Sequence, residues 1–167
     1  SRFAKRDADR MGWKFAEKKI TVPETNALIQ FGHCFKPADY EGYIGGDVDA
    51  IYFGQLEEFT AQQFVEISPS TGRIRRDDWR GLVIAEENPG GPLSAFVEDL
   101  FITKKPDPAL FPNYCANDHH FIGSQLEDCP YTDPRYVHKL ANLTPERRAM
   151  MRFGRRDVFP GKFFPSF

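Results

Sequence analysis

Val48-Asp49-Ala50-Ile51-Tyr52-Phe53-Gly54-Gln55-Leu56-Glu57-Glu58-Phe59-Thr60 passes from β-branched and aromatic residues into glycine and polar ones within a few positions. A short apolar run that stops so abruptly reads as a buried parallel strand, covered on both faces. In open α/β sheets the residues just beyond the carboxyl end of such a strand line the ligand crevice. A second run, Gly81-Leu82-Val83-Ile84-Ala85-Glu86-Glu87, has the same character and leads directly into Asn88-Pro89-Gly90-Gly91-Pro92. Each strand is followed by a turn and a helical stretch, Thr60 to Ile67 in the first case and Leu93 to Thr103 in the second, so the fold class is α/β. This places Asn88 beside Gly54 and Gln55 at one sheet edge.

Composition sets the outer limits. The chain has 167 residues, 41% hydrophobic and 14% aromatic, enough for one real core. A net charge of −2 argues against a uniformly basic nucleic-acid coat, although charge is segregated locally. No apolar run approaches the roughly 18–20 residues that span a bilayer, and the N-terminus has no signal-type apolar core, so the expectation is a soluble intracellular protein without membrane partners. Cys34, Cys115 and Cys129 have neither metal nor redox spacing and read as reduced thiols.

The remaining chain reads as connections and short elements. Ser1 to Lys19 is charged and mildly amphipathic, anchored by Phe3, Met11, Trp13 and Phe15. Ile20–Pro23 and Ala27–Phe35 flank Glu24-Thr25-Asn26 as two strands flank a hairpin turn. A loop rich in Pro, Gly and Asp fills Lys36 to Asp49. After a proline-rich link from Lys104 to Pro112, Asn117 to Ile122 reads as a third short strand. Asp133-Pro134 and Thr144-Pro145 each set a capping side chain before a proline, the signature of a helix start, and Gly154 ends the second helix. Phe159 to Phe167 is an aromatic, proline-containing tail of linker type.

The chemistry turns on what the first strand lacks. In nucleotide hydrolases its end carries an aspartate that holds Mg²⁺ and a glutamate that activates water. Here those places hold Gly54 and Gln55. Glu57 and Glu58 lie two or three residues further on, displaced from the positions such acids occupy, and catalysis tolerates little displacement. The chain has no glycine-rich phosphate loop with its lysine. Arg73, Arg75, Arg76 and Arg80 form a basic run, a solvated face or a set of phosphate contacts. His33 reads as a structural histidine. His119 and His120 are adjacent and would point to opposite faces of a strand, so no metal site is expected.

Taken together, these motifs are ordered. Asp39…Tyr43-Ile44-Gly45-Gly46-Asp47-Val48-Asp49-Ala50-Ile51-Tyr52-Phe53-Gly54-Gln55…Phe59-Thr60, then Asn88-Pro89-Gly90-Gly91-Pro92, then Asp128-Cys129-Pro130-Tyr131 resembles the large terminase subunit of tailed bacteriophages. So does the closing stretch, Asp133-Pro134-Arg135-Tyr136-Val137…Leu143-Thr144-Pro145-Glu146-Arg147-Arg148 and Gly154-Arg155-Arg156-Asp157-Val158-Phe159. The resemblance covers roughly residues 13–165. It rests on order and spacing, since each motif alone is weak.

That resemblance implies the later part of a P-loop ATPase domain over 1–158, a partial P-loop NTPase-like sheet with flanking helices and a short helical C-terminal end. Residues 159–167 become a linker toward a nuclease domain. It implies a DNA-packaging motor that uses ATP and Mg²⁺ in the intact family protein, with neither expected on this chain alone. DNA, the portal, the small terminase subunit and further copies in a homo-oligomer are the implied partners. The implied place is the host cytoplasm, at the prohead during virion assembly. Gly54 and Gln55 fall at the Walker B positions, and Asn88 in the motif that couples hydrolysis to movement. Arg73, Arg75, Arg76 and Arg80 become candidates for phosphate or DNA contact. The alternative is a catalytically dead ATPase-like module that uses the fold to bind DNA, portal or subunits.

Overall fold

Two short parallel strands organise the larger part of the molecule. In the computed structural model, residues 2–73 and 77–158 are described, and the chain forms two compact units, Ser1–Asp39 and Tyr40–Phe167. No helix among the described residues is long and apolar enough to cross a membrane.

In the first unit, helix α1 (Arg2–Arg10) precedes a three-stranded antiparallel sheet of β1 (Lys14–Ala16), β2 (Lys19–Val22) and β3 (Ala27–Gln30) in the order β1-β2-β3. The β2–β3 hairpin agrees with the sequence reading, with Val22 opposite Ala27. β1 has no warning in the sequence. Its two-residue connection to β2 uses Glu17 and Lys18, both at positive φ (48° and 63°), where glycine or asparagine would ordinarily announce a tight hairpin. Among the described residues, Ile20 and Ala8 are the buried apolar side chains of this unit.

In the second unit, β4 (Ala50–Phe53) pairs in parallel with β5 (Leu82–Ala85), Ala50 opposite Leu82 and Phe53 opposite Ala85. The mixed α/β class is therefore present as one antiparallel and one parallel sheet with helices. The expectation that the central strand is covered on both faces is corrected. Phe53 is buried, but Tyr52 on the opposite face is 61% exposed, and Leu82 (42%) and Ile84 (47%) on β5 are exposed too. The core lies on one face only.

That core is aromatic. Helix α2 (Ala61–Ile67) begins at a complete capping box, in which Thr60 accepts from the Gln63 amide and the Gln63 side chain accepts from the Thr60 amide. The cap directs Phe64 onto Phe53, with ring centroids 5.3 Å apart. Phe64 in turn meets Phe96 and Phe101 edge-on, and Phe96 meets Phe111. Phe96 and Phe101 come from the expected helix after Pro92, which is a turn of α-helix, α3 (Ser94–Val97), continued by a π-helical turn over Glu98–Ile102. Leu100, in that π turn, is fully buried.

A third strand at 117–122 is not formed. Ala116–Asp118 is a 3-10 turn, and His119 lies against Phe101 and Tyr114 with its Nδ1 2.9 Å from the Cys115 carbonyl. Aromatic stacking took the residue that strand pairing would have used. His33 is exposed rather than enclosed by its apolar neighbours.

Two capped helices close the described chain. α4 (Pro134–Leu140) starts at Asp133, which accepts from the Arg135 amide, and α5 (Pro145–Phe153) starts at Thr144. Gly154 ends α5 in the left-handed conformation, φ 61°. The linker assigned to 159–167 lies outside the described residues.

Candidate functional site

The carboxyl ends of β4 and β5 meet at one edge, where the parallel ladder contains an irregularity. The Glu86 amide donates to the Phe53 carbonyl (3.0 Å), and the Glu86 carbonyl accepts from the Leu56 amide (2.8 Å). A regular parallel ladder would join residue 86 to 53 and 55, so one extra residue has been inserted. Gly54 and Gln55 both lie opposite Glu86. Gln55 takes up the excess in the left-handed region, φ 58° and ψ 56°, and precedes the 3-10 turn Leu56–Glu58 without a side-chain capping bond.

Neither residue brings a carboxylate. A side chain at position 54 would begin 3.5 Å from the Tyr52 ring and 3.7 Å from the Glu86 carboxylate, in open contact with both. The Glu86 carboxylate beside the Tyr52 hydroxyl pushes its ionisation above the usual phenol value.

Glu58 is exposed, whereas Glu57 turns inward and is only 5% exposed. Its Oε1 accepts from Asn88 Nδ2 at 3.3 Å, and its carbonyl accepts from the Leu93 amide at 3.1 Å. Its Cβ and Cγ lie against Gly91 so closely that a Cβ there would stand 2.5 and 2.6 Å from them. On the far side of the turn, Gly90 has φ 98° and meets Met150 of α5. Asn88-Pro89-Gly90-Gly91 is therefore gripped from two sides, and its glycines are required by close approach as well as by backbone conformation.

Glu87 points into the protein and pairs with Arg156. The two side chains retain 8% and 13% exposure respectively, and the guanidinium also stacks on Phe121, 5.2 Å from the ring centroid. Burying such a pair is costly unless every polar atom is satisfied. Among the described residues, the buried side-chain atoms without a partner are Glu57 Oε2, Glu87 Oε2, Arg156 Nε, Arg156 Nη1 and Arg148 Nε. All but the last belong to this edge.

No protein-family model matches the chain, and no curated protein does. The site has to be read from its own geometry.

Of the residues singled out from sequence, Gly54, Gln55 and Asn88 do come to one edge. The arginine run does not join them by any bond described here. Arg73 donates through Nη1 to the carbonyls of Gly45 (2.6 Å) and Gly46 (3.2 Å), tying down the glycine loop before β4. Arg80 is exposed, and Arg75 and Arg76 lie outside the described residues. Sequence reasoning missed Glu86, Glu87 and Arg156, and it assigned Glu57 no partner. Glu86-Glu87 directly before the Asn-Pro turn was the available signal; Arg156, far later in the chain, carried none.

The residues at this edge do not fit a Mg²⁺-nucleotide group. Gly54 offers no side-chain oxygen and Gln55 no base. The oxygen that Glu57 has left over is buried. Among the described residues no three His, Cys, Asp or Glu side chains are grouped to hold a metal ion.

Proposed function

We propose that this chain is a segment of a viral DNA-packaging motor, the later part of an ATPase domain of the large-terminase type, without hydrolysis of its own. The observation that supports this reading best is the parallel β4–β5 pair, in which Gly54-Gln55 and Asn88 end adjacent strands at one edge. Parallel pairing of Phe53 with Ala85 brings the two motifs, 33 residues apart in sequence, to the same edge. The ordered resemblance along the rest of the chain adds DNA, a portal, a small terminase subunit and further copies as partners, at the prohead in the host cytoplasm. It also gives the β4–β5 pair a place in a larger P-loop NTPase-like sheet.

A second reading, a catalytically silent module kept for contacts with DNA, portal or other subunits, is favoured by one feature. Glu57, the acid nearest the missing ones, is committed to the Asn88 turn and has no exposed oxygen left to offer.

Calorimetric titration with Mg-ATP separates the two, using this chain and a chain extended upstream to carry a phosphate loop. Binding by the extended chain alone is the result expected of a motor segment. Failure of both to bind would overturn that reading and leave the contact module.

A further inference from the structure

Glu57 is placed too deep to act on a ligand directly. A hydrated cation or an attacking water needs an exposed oxygen, and Glu57 Oε2 has essentially no accessible surface. Its other oxygen is spent on Asn88. Yet Glu57 touches the Asn88 turn at three places: the Asn88 amide, the Gly91 α-carbon and the Leu93 backbone amide. Asn88 itself is exposed.

We infer that Glu57 is the positioning residue for Asn88: its carboxylate takes the Nδ2 group of the amide, fixes which way the amide faces, and leaves Oδ1 as the atom that Asn88 presents at the strand edge. A carboxylate only accepts hydrogen bonds, so the amide nitrogen must face Glu57 and the oxygen must face away. The consequence is one of specificity. The turn offers an acceptor, suited to a ligand that brings a hydrogen-bond donor, and the carboxylates of Glu57 and Glu86 near it disfavour a bare phosphate oxygen. Asn88 as a working residue rests on the function proposed above; the Glu57–Asn88 geometry does not.

Reversing the pair tests it. In the full chain, Asn88→Asp sets two carboxylates face to face and is expected to lower the folded-to-unfolded ratio by about tenfold or more, on the order of one charged hydrogen bond. Adding Glu57→Gln supplies an amide that donates to the new carboxylate. The double variant is therefore expected to recover about tenfold over Asn88→Asp alone, a coupling that non-interacting sites do not show. Failure of Glu57→Gln to rescue Asn88→Asp in urea unfolding, including the case where both variants fail to fold, overturns the inference.

A spectroscopic readout stands beside the unfolding data. In the unsubstituted chain, one Asn88 side-chain amide proton, bonded to Glu57, is expected to exchange more slowly than those of Asn113 and Asn142, which are likewise exposed and have no such bond. Its resonance is expected to move in Glu57→Gln but not in Glu58→Gln. An Asn88 amide indifferent to Glu57→Gln overturns the inference as well. Nucleotide enters neither experiment, so a failed Mg-ATP titration with an intact cycle would remove the motor reading and leave the pair standing.

Discussion

The two parallel strands end differently. Beyond β4, Gly54 and Gln55 contribute backbone: an inserted residue, a left-handed Gln55 and no charge. Beyond β5, Glu86, Glu87 and Asn88 contribute side chains, each of them engaged, Glu86 with the Tyr52 hydroxyl, Glu87 with Arg156 and Asn88 with Glu57. Acids do stand at this edge, beyond β5, where Glu86 lies beside a tyrosine and Glu87 pairs with Arg156 of the C-terminal segment.

The sharpest break in that comparison is Glu87→Ala. It strands the Arg156 guanidinium in a site where the side chain keeps only 13% exposure, and is expected to cost about 3 kcal/mol, since an unpaired buried charge is far worse than a missing pair. Calorimetric melting should show it, and replacing Glu87 and Arg156 together by methionine should recover most of the loss. A Glu87→Ala protein that melts unchanged would mean the β5 end is not held by this pair.

Next comes Gly91→Ala. The new methyl would sit 2.5 Å from Glu57 Cβ and 3.0 Å from its carbonyl, with an expected loss of about 2 kcal/mol from overpacking. Gly42→Ala, where a Cβ meets nothing within 4 Å, is the matching control and should leave urea unfolding almost unmoved. Equal effects at the two positions would separate the turn from Glu57.

On the β4 side the effect reverses sign. Gln55→Gly relieves a left-handed side chain at φ 58° and is expected to stabilise by roughly 0.5 kcal/mol, the strain relieved being partly offset by a more flexible unfolded chain. Destabilisation instead would show that the Gln55 side chain has a partner at the edge.

The smallest expected effect is a pH dependence remote from the site. Asp133, which caps α4, is held below the usual carboxylate range first by the Arg135 side chain and then by the Arg135 amide. A lowered folded value means its contribution is complete above the unfolded value of about 3.9. That contribution disappears as pH falls through the lower folded value. Asp133→Asn removes that contribution, so it should lower stability by a constant amount above pH about 5 and flatten the fall on the acid limb.

Local chemistry made much of the fold legible. Thr60-Ala61-Gln62-Gln63, Asp133-Pro134 and Thr144-Pro145 fix helix starts because the cap and the first turn are neighbours in sequence, and all three helices begin there. The β2–β3 hairpin and both parallel strands were readable for the same reason. Elements failed where the deciding contact was distant. Asn117 to Ile122 has strand-like residues, but His119 found Phe101 and Tyr114. β1 was hidden by a Glu17-Lys18 turn whose positive φ values those residues do not advertise.

The candidate site divides along the same line. The sequence alone determined that no carboxylate occupies the two places directly after β4, because Gly54 and Gln55 carry none, and that Asn88 follows a second strand of the same kind. Only the tertiary structure decided what the remaining acids do. Whether Glu57 faces solvent or the Asn88 turn depends on the inserted residue at Gln55, and whether Glu87 is free or paired depends on Arg156, which reaches it from beyond α5. Residue type sets what a side chain is able to donate or accept. Burial and the partner that arrives from elsewhere in the chain set what it does with that capacity.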